Sequence, residues 1–235
     1  MQLFYVNPKQ PELLLEEEAS HCLRTLRHKL GDIVYCVDGS GILYQCRIAQ
    51  IEKFKVHLSI LGQEVNWGEH NYQIHLFFTP LKSRDRLEWL IEKSVELGVT
   101  HLHPILTSRS ERSVISFSRL ERIMIAAMKQ SKRSRLPSFS PLLLLREDSS
   151  LPQLDISFVA HCNAATHISQ WAQNKPSAEW KSMGVAIGPE GDFSEEEINI
   201  LESKGFQSVS LGSNRLRSET AGIFVLSILK NIQGY

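Results

Sequence analysis

Apolar positions along the chain change their rhythm near residue 70. Before it, "IVYCVDGSGILYQCRIAQIEKFKVHLSIL" reads as a series of short β-type runs. Asp38-Gly39-Ser40-Gly41 interrupts them as a hairpin signal, because Asp and Gly supply the local hydrogen bonds and positive φ that tight turns demand. A helix-like stretch from about Glu16 to Lys29 precedes these runs, and "GQEVNWGEHNY" follows them as a linker. Strand-like and helix-like segments then alternate, from "QIHLFFTPL" and "RDRLEWLIEKSVELG", through "THLHPIL" and "SRLERIMIAAMKQSKR", "ISFVAHC" and "HISQWAQN", to "MGVAIG", "SEEEINILESKG", "QSVSLG" and "SETAGIFVLSILKNI". Such alternation predicts a parallel sheet covered by helices. The expected fold is α/β, with a small β domain over residues 1–70 and a parallel-sheet domain over 71–235.

Within that second part, "IGPEGDFSEEEI" places a glycine-rich loop between a strand and a helix, where open α/β sheets bind ligands. A helix N-terminus attracts anions, so phosphate is the first ligand to consider. The side chains argue against it: Glu190, Asp192, Glu195, Glu196 and Glu197 bring five carboxylates and no Lys or Arg. The loop also lacks the Lys-Ser/Thr ending of a P-loop and the spacing of a dinucleotide fingerprint. Its ligand should be neutral or cationic, or held mainly by backbone groups. Ser194 with Glu197 reads as a capping box, which accounts for the acidic run but not for Gly188, Pro189, Glu190 and Gly191.

The last strand-helix unit carries a second signal. "SNRLRSETAG" sets Arg215 and Arg217 just before a helix, with Ser218 as its N-cap, where a cation opposes the helix dipole. Either the two arginines pair with Glu219 or Glu190, or they face an anion or a developing negative charge. The helix that follows, with Ala221, Ile223, Phe224, Val225, Leu226, Ile228 and Leu229, is apolar on most sides and should be buried in the core or against a second subunit.

Composition changes this picture little. With 26 basic and 26 acidic residues among 235, net charge is zero and nothing global announces nucleic acid. Two local basic clusters do suggest it: Arg24, Arg27, His28 and Lys29, and then Lys129, Lys132, Arg133 and Arg135 in "KQSKRSR". The chain has no apolar run of the roughly 18 residues that a membrane span needs and no signal peptide, so a soluble, cytoplasmic protein is expected. Cys22, Cys36, Cys46 and Cys162 show no CxxC pairing and should be reduced thiols, mostly buried. His101 and His103 share a strand face but lack a further clustered ligand, so no metal site is expected.

The "GPEG" loop followed by "LGSNRLRSETA" resembles the C-terminal signature of the RsmE family of ribosomal RNA methyltransferases, within the SPOUT superfamily. The likeness continues in "HCLRTLRHKLGDIVYCVDGSG", "IEKSVELGV" and "AAMKQSKRSRLP". One departure is that Ser213-Asn214-Arg215 shifts the first arginine of the last motif by one place, whereas Arg217, Glu219 and Thr220 align. The resemblance implies a PUA-like RNA-binding β-barrel at the N-terminus and a trefoil-knotted SPOUT domain after it. It further implies that S-adenosyl-L-methionine is held by Gly188, Pro189, Glu190 and Gly191 together with Leu211, Gly212, Leu216 and Thr220, with His161 and Cys162 at a neighbouring strand end. The ligand is consistent with the acidic loop, since its sulfonium is cationic and it carries no phosphate.

The reaction so implied is methyl transfer to N3 of a uridine, the one numbered 1498, in 16S ribosomal RNA of the small subunit. That nitrogen must lose a proton, and a cation beside a uracil carbonyl would stabilise the resulting anion. Arg217 is the candidate cation, with Glu219 as base or as the group that orients it. Arg24, Arg27, Arg133 and Arg135 are the candidate RNA phosphate contacts. The family also implies a homodimer in which the barrel of one subunit serves the site of the other. A SPOUT enzyme for another base or a ribose 2′-hydroxyl, and a non-catalytic RNA-binding assembly protein, are the alternatives.

Overall fold

A computed structural model of the chain describes residues 1–53, 55–173 and 180–232, and divides into two compact units. Phe54 and Asn174, which fall inside predicted elements, lie outside the described residues.

The first unit contains residues 1–70 and 124–136. Strands β1 (Leu3–Tyr5), β2 (Leu13–Leu15), β3 (Ile33–Val37), β4 (Ile42–Glu52) and β5 (Lys55–Val65) form one sheet in the order β1-β3-β4-β5-β2. Alternation decides which face is inside: Val34 and Cys36 on β3 and Tyr44, Cys46 and Ile48 on β4 join Phe4, Leu14 and Val56 in one core. The predicted hairpin turn is present. Asp38 Oδ1 accepts from Ser40 N at 2.8 Å and from Ser40 Oγ at 2.7 Å, while Tyr44 Oη donates to Oδ2 at 3.0 Å.

Two predicted elements differ. The expected helix over 16–29 is α1 (Glu16–Ser20) continued by a π-helical turn over His21–Thr25, and Arg27 then takes a left-handed φ of 59°. Ala19 and Cys22 reach the core, but Leu26 is 38% and Leu30 65% exposed, so no buried side chain holds a further turn. The expected linker begins as strand, because β5 pairs through Val65 with β4 and backbone pairing outlasts the side-chain pattern.

The second unit contains residues 71–123 and 137–235. Its elements are β6 (Gln73–Phe78), α2 (Arg84–Glu96), β7 (His101–Leu106), α3 (Phe117–Gln130, whose last residues belong to the first unit), β8 (Ser138–Phe139), β9 (Leu143–Leu144), β10 (Ile156–Ala160), α4 (Ile168–Gln173), β11 (Ser182–Ile187), α5 (Glu195–Ser203), β12 (Phe206–Val209) and α6 (Ser218–Ile232). The sheet runs β12-β10-β11-β6-β7-β8, with β9 also on β7, and every pairing is parallel. All five residues of β10 are buried, as expected of a strand covered on both faces. Helices α2 and α6 pack together, with α6 against β6 and β11, whereas α5 packs against β10 and β12.

Register sets up the site. Ala160, the last residue of β10, lies level with Ile187 at the end of β11 and with Val209 at the end of β12. The loops that follow three adjacent strands therefore emerge at one edge, where chain connections diverge to opposite sides of β10.

Candidate active site

That edge holds a cavity of about 340 Å³. The loop after β11 contributes Gly188, Pro189, Glu190 and Asp192, and the end of β10 contributes Ala160, His161 and Cys162. From the loop before α6 come Leu211, Gly212, Leu216, Arg217 and neighbouring residues, and α2 adds Arg86. Clefts for small ligands start at about 300 Å³. Two glycines are required by the backbone here. A Cβ on Gly188 would lie 3.1 Å from both the backbone N and Cδ2 of Phe193, and Gly212 has a φ of 118°.

The five carboxylates of the acidic stretch have separate fates. Asp192 stabilises its own left-handed backbone (φ 64°): Oδ1 accepts from Phe193 N at 2.8 Å, and Oδ2 accepts from Cys162 N at 3.1 Å, fastening the β11 loop to the end of β10. Glu197 completes the predicted capping box with Ser194 and accepts from Ser108 N at 2.5 Å. Glu195 and Glu196 are exposed in the first turn of α5, where their charge suits the dipole. Glu190 alone presents a carboxylate to a guanidinium at the cavity: Arg86 Nη1 donates to its Oε1 at 3.4 Å.

Arg86 is also the partner of Glu219. It donates from Nε to Oε1 at 2.7 Å and from Nη2 to Oε2 at 2.5 Å. Burial pushes the Glu219 carboxyl up, but the hydrogen bonds and charge of Arg86 more than offset this and leave it below the ordinary carboxylate range. Glu219 is thus occupied by Arg86, with Arg217 only a more distant charge. Arg215 donates from Nη2 to the Glu190 backbone carbonyl at 3.3 Å. Arg217 is exposed and lines the cavity, and its guanidinium makes no hydrogen bond or ion pair among the described residues. His161 also lines the cavity, and both of its ring nitrogens are buried without a partner.

The predicted cofactor residues His161, Gly188, Pro189, Glu190, Leu211, Gly212 and Leu216 are therefore gathered around one cavity. Gly191 and Thr220 are not among its lining residues; both are exposed. The Gly191 carbonyl accepts from Arg109 Nη1 at 2.8 Å, and a Cβ there would meet only the flexible Arg109 side chain at 3.4 Å. Arg86 was missed by sequence reasoning. A cation in the first turn of α2 opposes the dipole, but nothing local shows which distant carboxylates offset it.

Of the expected RNA contacts, Arg24, Arg27 and Arg135 are exposed, and the guanidinium groups of Arg24 and Arg27 have no partner among the described residues. Arg133 is placed otherwise. Its Nη2 donates to Glu69 Oε2 at 2.8 Å, with the two side chains 5% and 4% exposed, so this guanidinium lies inside the first unit rather than facing phosphates. Glu69 Oε1 accepts in addition from Ser134 N and Arg135 N, which binds residues 132–135 to the 66–69 turn.

His101 and His103 do share a face, together with His75, in a stack with ring centroids 4.1 Å apart for His75 and His101 and 5.2 Å for His75 and His103. His75 Nδ1 and His103 Nε2 are 2.9 Å apart, and Gln73, Thr100 and Ser140 engage other ring nitrogens. Among the described residues there is no group of three or more His, Cys, Asp or Glu that could hold a metal ion. Cys22, Cys36 and Cys46 are buried and Cys162 is exposed, all as free thiols. No helix among the described residues is long and apolar enough to cross a membrane.

Comparison with known proteins connects this geometry to chemistry. Residues 68–230 match the model of an RNA methyltransferase domain, and residues 14–61 that of an RNA methyltransferase PUA domain. The chain is 28% identical over 236 residues to Ribosomal RNA small subunit methyltransferase E of Aquifex aeolicus, covering 98% of this chain and 100% of the relative. Among solved structures it is similar to a probable rRNA-methyltransferase from Porphyromonas gingivalis, with 33% identity, a TM-score of 0.88 and coverage of 99% and 98%. It is also similar to Ribosomal RNA small subunit methyltransferase E from Neisseria gonorrhoeae bound to S-adenosyl methionine, with 27% identity, a TM-score of 0.82 and coverage of 98% and 97%.

Proposed function

The chain belongs to the RNA methyltransferase family, and from that premise we propose that it is an S-adenosylmethionine-dependent enzyme methylating N3 of a uridine in 16S ribosomal RNA. The observation that carries the reading is the cavity at the ends of β10 and β11, with its crowded Gly188 and the two unpartnered nitrogens of His161. Buried polar atoms without partners are rare in folded proteins, and a ligand with donors and acceptors resolves them. S-adenosylmethionine fits such a donor set, with His161, Gly188, Pro189, Glu190, Leu211, Gly212 and Leu216 as the residues that would hold it. Bound there, it supplies an electrophilic methyl group. The trefoil knot implied by the resemblance is part of the same proposal.

The chain's own residues contribute orientation and charge. Arg217, exposed and unpaired at the cavity, stabilises negative charge on a uracil carbonyl as N3 loses its proton. Glu219 accepts at both oxygens from Arg86 and therefore acts as an anchor rather than as the base. Arg24, Arg27 and Arg135 hold RNA phosphates from the first unit. A second copy of the chain covers the outer side of α6, where Phe224 is 40% exposed next to half-buried Ile223 and Ile228. Sedimentation at micromolar concentration should then give a dimer.

The test is mass-spectrometric mapping of modified nucleosides in 16S ribosomal RNA from cells with and without the protein. Loss of one N3-methyluridine, restored by the purified protein with S-adenosylmethionine, is expected. A ribose-methylated or otherwise methylated nucleoside lost instead would redirect the target atom, and an unchanged map would favour a non-catalytic role.

A further inference from the structure

Arg86 reaches with one guanidinium into two segments 104 and 133 residues away in sequence. One is the loop after β11, through Glu190, and the other is the first turn of α6, through Glu219. Both segments build the cavity, and Arg86 lines it as well. Lys82 N adds a 3.3 Å bond to the same Glu190 oxygen, so the start of α2 grips the loop twice.

Apolar packing also docks the two helices. The α2 face is carried by Leu87, Leu90, Ile91 and Val95, and the α6 face by Val225, Leu226 and Leu229. They approach so closely that a Cβ on Gly222 would lie 2.8 Å from Leu90 Cδ1. Packed apolar side chains commonly replace such ion pairs without loss of stability, so the pair is better explained by the geometry it imposes. A planar guanidinium fixes direction as well as distance, because its parallel N–H groups fit a carboxylate in one plane.

We propose that Arg86 is a positioning residue that clamps the β11 loop and the first turn of α6 at the spacing the ligand requires, and that by occupying Glu219 it leaves Arg217 as the free cation of the site. The inference rests on the cofactor reading given above. It predicts that Arg86 and Glu219 act as one unit toward ligand affinity, although Glu219 is absent from the cavity lining.

Calorimetry with S-adenosylhomocysteine, the demethylated cofactor, tests this on wild type, Arg86→Gln, Glu219→Gln and the double variant, with thermal unfolding and the RNA KM measured alongside. Each single variant should raise Kd at least tenfold while leaving the RNA KM unchanged, and the double variant should be no worse than the weaker single one. Unchanged Kd in folded Arg86→Gln, even with a lowered Tm, would overturn the proposal, as would losses that multiply in the double variant. Should Arg86→Gln fail to fold, Arg86→Lys carries the test, since it keeps the charge and loses the fork. Its Kd should still rise, and a wild-type Kd there overturns the clamp. A wild-type protein that binds no S-adenosylhomocysteine would instead overturn the cofactor reading itself, and the clamp with it.

Discussion

Two polar clusters sit in the same parallel sheet and differ in how their hydrogen bonds are met. Toward the N-terminal ends of β6 and β7, His75, His101 and His103 stack on one another, and Gln73, Thr100 and Ser140 engage ring nitrogens around the stack. At the C-terminal ends of β10 and β11, His161 is buried with no partner at either ring nitrogen, beside the exposed guanidinium of Arg217. In the sequence His101 and His103 read only as a strand-face pair lacking a further ligand, whereas His161 was placed at the cofactor site by the family resemblance. Satisfaction separates them: a buried polar group with its partners present is part of the fold, and one without them is waiting for something the chain does not supply.

Arg217→Ala sharpens this contrast most. A preorganised cation aimed at developing charge is worth ~3 kcal/mol, so kcat should fall about 10²-fold or more with cofactor and RNA affinity largely kept. Single-turnover kinetics at saturating RNA, beside calorimetry of cofactor binding, separate the two. Abolished cofactor binding would move Arg217 from the chemistry to the scaffold and remove the anion-stabilising step.

Exchanging one histidine in each cluster for leucine comes next. His103→Leu strands His75 Nδ1 and the Ser140 hydroxyl, and should cost ~2 kcal/mol of stability with cofactor affinity unchanged. His161→Leu strands nothing within the chain, so stability should stay within ~0.5 kcal/mol while cofactor affinity falls about tenfold. Urea unfolding and calorimetry on both variants give the answer, and equal effects on stability would dissolve the distinction between the clusters.

Acidification acts on the satisfied cluster. Burial, with the neighbouring histidine charges, pushes His75 down to about 3, and burial with the charge of His101 pushes His103 down to about 4. The unfolded chain takes up these protons near pH 6.5 and the folded chain does not, so stability is full above that value and is lost as pH falls toward 4. Each group contributes at most about 1.4 kcal/mol per pH unit. The slope between pH 6 and pH 5, read from urea unfolding at each pH, should be flatter in His75→Leu than in the wild type.

What was legible in the sequence follows the range of the interactions. The Asp38 turn and the Ser194–Glu197 capping box are met within a few residues, and both are present as read. Strand and helix alternation is likewise local and gave the parallel sheet. The π-helical turn was hidden because it depends on where Cys22 meets the core and on Leu26 finding none. Arg86 was hidden because its partners lie more than a hundred residues away, and a first-turn arginine on a charged helix does not reveal them. Gly191 belonged to a motif that suggested two equivalent glycines, whereas only Gly188 is pressed against backbone.

The basic run "KQSKRSR" shows the same division in the first unit, and it sets the smallest predicted effect. Composition treats Arg133 and Arg27 as equals, yet Arg133 is enclosed with Glu69 and Arg27 is exposed on a left-handed residue after the π-helical turn. Only a guanidinium open to solvent can displace counterions from RNA. Arg27→Ala should therefore raise the RNA KM severalfold at moderate salt and lower the log-log salt slope by about 0.7 to 1, with kcat unchanged at saturating RNA. Filter binding across a salt series measures the slope. If it is unchanged in Arg27→Ala, the turn after α1 does not meet the phosphates, and the exposed Arg135 beside the Glu69 network becomes the remaining predicted contact on which the RNA must be placed.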